Sequence, residues 1–129
     1  MKRVIKFRAK PSYKSDKSFV YGSYLEDDNL SGTSLIMNLY HKSTAIEIDT
    51  LGQFTGVTDK NGIEIYEGDI CKVLSDLWYC DIKYTGTVVF DLGAFIVENK
   101  SLSKGCSVWS DAHELEIIGN IHENKNLIQ

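Results

Sequence analysis

Residues 52–71 constrain the fold more than any other stretch, because they combine strand patterning with turn-forming residues. A strand-like run at residues 54–57 is followed by Asp59-Lys60-Asn61-Gly62. Asn-Gly is the pair best able to take positive φ at two successive positions of a hairpin turn. Glu67-Gly68-Asp69 then ends a second short strand, since Gly68 can adopt backbone conformations closed to other residues. The fold-defining turn residues are therefore Asp59, Asn61, Gly62, Gly68 and Asp69.

The same segment has two functional alternatives. Its four glycines match the spacing of neither the dinucleotide fingerprint nor the P-loop, and no amphipathic helix follows them. Its oxygen ligands, at Asp59, Asn61, Glu64, Glu67 and Asp69, reproduce only part of a calcium loop. We interpret the segment as structural, and we predict no metal, no cofactor and no catalytic residue in the chain.

Short β-branched and aromatic runs separated by turns extend along the rest of the sequence. A hairpin is predicted at residues 86–91 and 94–98 around Leu92-Gly93, and a terminal strand at residues 115–122. Further strands are predicted at residues 5–10, 19–25, 33–40, 46–48, 70–75 and 78–84, irregular structure at 102–108, and one helical turn at 110–114. A short helix would also fit residues 33–40, because their apolar positions follow neither period cleanly. This spacing indicates a β-barrel or a β-sandwich.

Length and composition are those of an ordinary globular protein. The chain has 129 residues, of which 43% are hydrophobic and 25% charged, and a chain of this size buries about two-thirds of its unfolded surface. No run is apolar enough for secretion or membrane insertion. The three cysteines lack zinc-knuckle spacing, which predicts buried thiols without a disulfide in a reducing cytoplasm. We therefore expect a cytoplasmic protein that does not contact membranes.

Three segments together resemble the YopX family, small proteins found mostly in phages and prophages of Gram-positive bacteria. Residues 52–71 resemble its signature, and residues 5–9 and 115–124 fit it near the two ends of the chain. Two departures leave the resemblance intact: Lys10 stands where the family often has Trp, and His122 where an aromatic residue such as Tyr is common.

The resemblance implies a mainly β fold with an SH3-like barrel portion and additional N-terminal strands, with at most short helical turns. It also implies self-association and no known reaction. On this basis we expect a single domain over residues 1–129, with an N-terminal β extension at 1–50 and the barrel-like portion at 51–129.

The net charge of -4 conceals an asymmetry along the chain. Residues 1–17 hold seven basic residues and one acidic residue, a net charge of +6, so the other seven basic and seventeen acidic residues give the remainder -10. Lys6, Arg8 and Lys10 alternate with apolar residues and are predicted to share one face of the first strand, with Lys14 nearby. A basic arm on an acidic body favours either docking onto an acidic surface, of the same chain or of a neighbour, or contact with nucleic acid.

No arrangement of reactive residues is specific enough to assign a reaction. The histidines offer metal ligands together with Cys106 or Asp111, but no local spacing brings His41, His113 and His122 together. No Ser or Cys lies in a recognised nucleophile motif. The sequence leaves open whether the protein is an enzyme and favours a non-enzymatic role.

The leading hypothesis is therefore a phage or prophage accessory protein that acts as a homo-oligomeric interaction module. The alternative is a nucleic-acid-binding module that uses the basic N-terminal strand. A host or phage protein is a further candidate partner.

Overall fold

The computed structural model describes residues 3–13, 18–27, 33–74, 83–108 and 115–128. Within these ranges the chain is almost entirely antiparallel β structure, with 3-10 helices at Ile48–Thr50 and Lys125–Ile128. The predicted mainly β fold with at most short helical turns is confirmed. The helical turn predicted at 110–114 lies outside the described residues, as does most of the strand predicted at 78–84. No described helix is long and apolar enough to cross a membrane.

Eleven strands occur in the described ranges. They are β1 (Phe7–Ala9), β2 (Val20–Asp27), β3 (Thr33–Met37), β4 (Ser43–Ala45), β5 (Gly52–Thr58), β6 (Glu64–Tyr66), β7 (Asp69–Val73), β8 (Tyr84–Asp91), β9 (Ala94–Asn99), β10 (Lys104–Ser107) and β11 (Leu115–Asn120). By its internal contacts the chain forms two compact units, Met1–Phe54 and Thr55–Gln129, so the division falls within β5. The predicted organisation as a single domain, with an extension at residues 1–50, stays a prediction.

The N-terminal unit is an antiparallel sheet in the order β4-β3-β2-β1-β5, to which β5 contributes its first residues. Its core consists of Ala9, Ile36 and Ile46, with partly buried apolar side chains around them. The backbone of Lys10 connects β1 to the segment before β5, because its N–H donates to Thr50 Oγ1 at 2.8 Å and its carbonyl accepts the Glu47 N–H at 2.9 Å. The strand predicted at 46–48 is wrong: the strand is β4, and Ile48 begins a 3-10 helix.

The C-terminal unit contains β6 and a five-stranded antiparallel sheet in the order β10-β9-β8-β7-β11. Alternate residues of β8 face its core, where the Tyr84 hydroxyl donates to the Val97 carbonyl at 2.7 Å. The thiols of Cys71 and Cys106 are free and buried in this core, as predicted, while Cys80 lies outside the described residues. Over the described residues the sheet does not close on itself, so the implied SH3-like barrel portion is not confirmed.

The prediction of irregular structure at 102–108 is wrong, because residues 104–107 form β10. This strand pairs with β9 in a register that sets Cys106 opposite Val97. Lys-Gly-Cys-Ser contains no β-branched or aromatic residue, so no local propensity marks it as a strand. The buried contact of Cys106 and the partner strand determine its conformation.

Gly86 in β8 and Gly105 in β10, the two strands that pair with β9, provide a matched pair of tests. A Cβ at Gly86 would lie 2.8 Å from the Glu98 carbonyl oxygen, whereas a Cβ at Gly105 would meet nothing closer than 3.8 Å. We expect Gly86→Ala to lower the free energy of unfolding by about 2 kcal/mol, because β8 and β9 must move apart. Gly105→Ala should be neutral or raise it by up to about 1 kcal/mol. Urea denaturation of both variants measures this, and equal effects would contradict the close approach of β8 and β9.

Candidate interaction surface

The basic side chains of the first strand do not form one open face. Arg8 and Lys10 are each only 6% exposed. Both lie over the ring of Phe19, with Arg8 Cζ 4.2 Å and Lys10 Nζ 4.1 Å from its centroid. Such cation–π contacts strengthen when the cation is shielded from water. The structure therefore brings Arg8 and Lys10 together as packing side chains.

The other predicted members of this face are placed differently. Lys6 is partly exposed, with Nζ 5.3 Å from the centroid of the Phe54 ring. Lys14 lies outside the described residues. On the apolar side, Ala9 is fully buried in the core of the N-terminal unit, whereas Ile5, which precedes β1, is 55% exposed. The apolar and basic side chains of β1 therefore lie on opposite sides, but the basic side is not an open face, because Phe19 covers Arg8 and Lys10.

The turn between β5 and β6 has a different geometry from the one predicted. The Asp59 N–H donates to the Ile63 carbonyl at 2.7 Å, and the Gly62 N–H donates to the Asp59 carbonyl at 3.0 Å. Gly62 has φ of 80°, but Asn61 is not among the described residues with positive φ. The loop thus has three residues instead of the predicted two. Asp59 Oδ1 fixes this loop by accepting the N–H groups of Asn61 at 2.8 Å and Ile63 at 3.0 Å.

The second carboxylate oxygen of Asp59 reaches a distant part of the sequence. Oδ2 accepts the N–H of Ile117 in β11 at 3.1 Å, and the neighbouring Lys60 N–H donates to the Leu115 carbonyl at 2.9 Å. Burial raises the pKa of the Asp59 carboxyl, but the three backbone N–H donors and the charge of Lys60 outweigh burial and bring the pKa below its ordinary value. Sequence reasoning did not find this long-range role, because nothing local connects Asp59 with Ile117.

Gly68 and Asp69 form the turn between β6 and β7. Gly68 has φ of 90°, its N–H donates to the Val88 carbonyl at 2.9 Å, and its carbonyl accepts the Ile121 N–H at 2.9 Å. The buried carboxylate of Asp69 accepts the N–H of Tyr66 at 2.8 Å. Each predicted turn carboxylate is thus engaged by backbone donors within the C-terminal unit.

Metal-ligating side chains do not gather in the part of the chain that the structure describes. There, no group of three or more His, Cys, Asp or Glu residues is placed to hold a metal ion. Two of the ligands considered from the sequence, Asp111 and His113, lie outside the described residues.

The turn between β3 and β4 repeats the backbone pattern of the Asp59 turn. The Asn38 N–H donates to the Lys42 carbonyl at 3.0 Å, and the His41 N–H donates to the Asn38 carbonyl at 3.1 Å. Asn38 Oδ1 accepts the N–H groups of Tyr40 at 2.9 Å and Lys42 at 3.1 Å. His41 occupies the position of Gly62, with φ of 61°. An Asx side chain at the first position thus fixes both loops.

The side chains on these two similar turns differ in a way that the backbone does not require. Leu39 and Tyr40 are 95% and 89% exposed. The equivalent positions of the other turn carry Lys60 and Asn61, which suit a solvated loop. Two large apolar side chains therefore project into solvent on a turn that tolerates polar ones.

Leu39 and Tyr40 border an open groove of about 500 Å³ in the N-terminal unit. The groove, called here the apolar groove, is lined by residues 4–6, 21–23 and 37–40. Val4, Ile5 and Tyr21 contribute further exposed apolar side chains, and Lys6 contributes a charge. Gly22 allows β2 and β3 to approach each other at its base, because a Cβ there would collide with the Met37 carbonyl oxygen.

A second, smaller cavity of about 220 Å³ lies in the C-terminal unit against β8 and β9. It is lined by residues 85–87, 89 and 98–101. Its titratable lining residues are Glu98 and Lys100, and Asn99 Nδ2 is engaged by the Thr85 carbonyl at 2.8 Å. This cavity has a polar rim and lacks the exposed large apolar side chains of the apolar groove.

These features define a mainly antiparallel β protein with an exposed apolar groove built on short strands and Asx-stabilised turns. The family model described as "YopX protein" matches residues 6–129, and the chain belongs to that family.

Two solved structures are similar over nearly the whole chain. A protein from Enterococcus faecalis is 27% identical, with a TM-score of 0.58, and the match covers 99% of this chain and 100% of that one. YopX from Bacillus subtilis is 19% identical, with a TM-score of 0.57, and the match covers 96% and 98%; this second likeness concerns the fold alone. No curated protein matches the chain.

The low pKa of Asp59 predicts an acid-sensitive contribution to stability. The unfolded carboxyl has a pKa of about 3.9, so the stabilisation is fully present above that value and is lost as pH falls through the lower folded-state pKa. We expect Asp59→Asn to lower the free energy of unfolding by about 2 kcal/mol near neutral pH, because it removes a charged acceptor of three N–H groups.

Denaturant unfolding from about pH 7 to about pH 2 checks this, and the difference from wild type should shrink in acid. Glu116→Gln is the control, since its 3.3 Å ion pair with Lys60 is partly exposed and should contribute no more than about 1 kcal/mol. A pH-independent difference for Asp59→Asn would contradict the assignment.

Proposed function

We propose that this protein is a non-enzymatic phage or prophage accessory protein that acts in the cytoplasm as a homo-oligomeric interaction module, with the apolar groove as part of its interface. The observation that carries the proposal is the nearly full exposure of Leu39 and Tyr40 on a turn whose backbone does not need them. Membership of the YopX family supports the phage or prophage setting.

The exposed apolar side chains favour docking on physical grounds. Burial of one large apolar side chain contributes about 1.5–3 kcal/mol, and concentrated apolar patches on soluble proteins mark interaction sites. Five exposed apolar residues border one groove: Val4, Ile5, Tyr21, Leu39 and Tyr40. Their joint burial by a partner offsets part of the entropy lost on association.

Charge supports a second copy as the partner. Residues 1–54 contain eight basic and six acidic residues, a net charge of +2, while residues 55–129 contain six basic and twelve acidic residues, a net charge of -6. The N-terminal unit of one copy and the C-terminal unit of another therefore attract each other. A host or phage protein as the sole partner is the competing outcome of the test below.

The nucleic-acid alternative gains no support from the placement of the basic residues. A phosphate-binding face needs accessible cations, and Arg8 and Lys10 are buried against Phe19. The structure also changes how this alternative is tested, because acidic replacements at these two positions would bury uncompensated charge and unfold the unit.

We expect wild-type protein to self-associate at low salt and Leu39→Asn/Tyr40→Ser to be monomeric or much weaker in association, because the double variant removes the most exposed apolar side chains of the groove. Light scattering across a range of salt and protein concentrations measures the native mass. Leu102→Asn is the matched control: Leu102 is also an exposed leucine, 52% accessible, in another turn and outside the groove. A strictly monomeric wild type would overturn the proposal.

For nucleic acid, we expect wild type and Lys6→Glu to bind labelled single-stranded and double-stranded DNA and RNA equally weakly at low salt. Lys6 is the suitable position because its side chain is partly exposed. Fluorescence anisotropy measures the binding. Tight binding that falls steeply with salt and is lost in Lys6→Glu would instead favour the nucleic-acid alternative.

A further inference from the structure

We propose that the apolar groove of one copy receives the β8–β9 hairpin tip, residues 90–93, of a second copy. The inference rests on the proposed self-association and names the surface that meets the groove. It is carried by the backbone, exposure and charge of the hairpin tip.

The backbone at the hairpin tip sets a strong preference that the sequence does not follow. β8 and β9 pair up to Asp91 and Ala94, so Leu92 and Gly93 form a two-residue loop with φ of 51° and 80°. Asn, Asp and Gly are favoured at the first position of such a loop, since positive φ is costly for a bulky side chain. Leucine at position 92 therefore opposes the local preference.

Solvent exposure also disfavours Leu92. Its side chain is 98% exposed, and a Cβ on the adjacent Gly93 would meet no atom within 4 Å. Phe90, beside it, is 55% exposed and contacts the Phe95 ring edge-on at 5.1 Å between centroids. Residues that oppose the local backbone preference without stabilising the fold are concentrated at functional positions. We infer that Leu92 gains its partner contacts in an assembly.

The apolar groove and the hairpin tip are complementary. The groove offers apolar walls with one cation, Lys6, and the tip offers Leu92 and Phe90 with one anion, Asp91, between them. The open groove, with a volume of about 500 Å³, has room for the Leu92 side chain. Groove-to-groove pairing would instead bring together two N-terminal units, each with a net charge of +2.

A groove-to-tip contact is heterologous, because the two surfaces differ and each copy carries one of each. Such contacts close into a ring when the rotation between copies permits, and otherwise continue as a filament. Each copy would then donate one tip and receive one.

The central test is Leu92→Asn, which should weaken association without destabilising the fold. Association should weaken by at least about tenfold, as expected for removal of a central apolar anchor. At a protein concentration low enough for wild type and variant both to be monomeric, the thermal midpoint should stay the same or rise, because Asn suits positive φ. Leu102→Asn makes the same chemical change at another exposed turn leucine and should leave association unchanged. Concentration-dependent light scattering and thermal unfolding give both readouts.

A mixing experiment tests the pairing directly. Leu92→Asn retains an intact groove, and Leu39→Asn/Tyr40→Ser retains an intact tip, so an equimolar mixture should form a heterodimer through one restored contact. Neither variant alone should do so. Restoration of association in Asp91→Lys by the added change Lys6→Asp would confirm the charge pairing.

The outcomes separate this inference from the proposed function. Suppose that wild type self-associates and the groove variant Leu39→Asn/Tyr40→Ser does not, but that Leu92→Asn associates as strongly as wild type. The hairpin tip is then not the occupant of the groove, and the proposed self-association still stands. If wild type is monomeric at every concentration, both fail.

Discussion

The carboxylate of Asp59 is the interaction on which the C-terminal unit depends. It accepts three backbone N–H groups, from Asn61, Ile63 and Ile117, and so joins a local loop to a strand 58 residues further along the chain. A buried carboxylate is tolerated only when hydrogen bonds replace its lost hydration. The same bonds satisfy backbone donors that the β5–β6 loop and the start of β11 would otherwise leave without acceptors. The ionised Asp59 carboxylate thus determines both the shape of the β5–β6 loop and the position of β11 beside it.

The sequence located the chain reversals well, because turn chemistry is local. Leu92-Gly93 and Gly68 were assigned to turns, and both segments reverse the chain as predicted, Gly68 with the positive φ that suits glycine. The loop type at Asn61-Gly62 was wrong, since the preceding Asp59 selects a three-residue loop through its side chain. Asn38, Asn99 and Asn120 likewise accept backbone N–H groups within the following four residues. An Asn or Asp two or three positions before the centre of a loop was therefore the sequence signal that could have predicted the loop type.

The candidate site was less accessible to sequence reasoning. Alternation along β1 correctly separated basic from apolar side chains, but it could not show that Phe19, ten residues beyond, covers Arg8 and Lys10. Leu39 and Tyr40 were included in a predicted strand at 33–40, where apolar residues are unremarkable. In the structure β3 ends at Met37, so Leu39 and Tyr40 are exposed turn residues, and their apolar side chains need a separate explanation.

The two similar Asx turns separate conformation from surface chemistry. Asn38 and Asp59 impose the same loop through their own side chains, so the loop between β3 and β4 does not need the side chains of Leu39 and Tyr40 for its conformation. Positions 39 and 40 can therefore change in related chains without altering the path from β3 to β4. Divergence in partner choice within such a fold then requires no refolding, only new side chains on a loop that is already fixed.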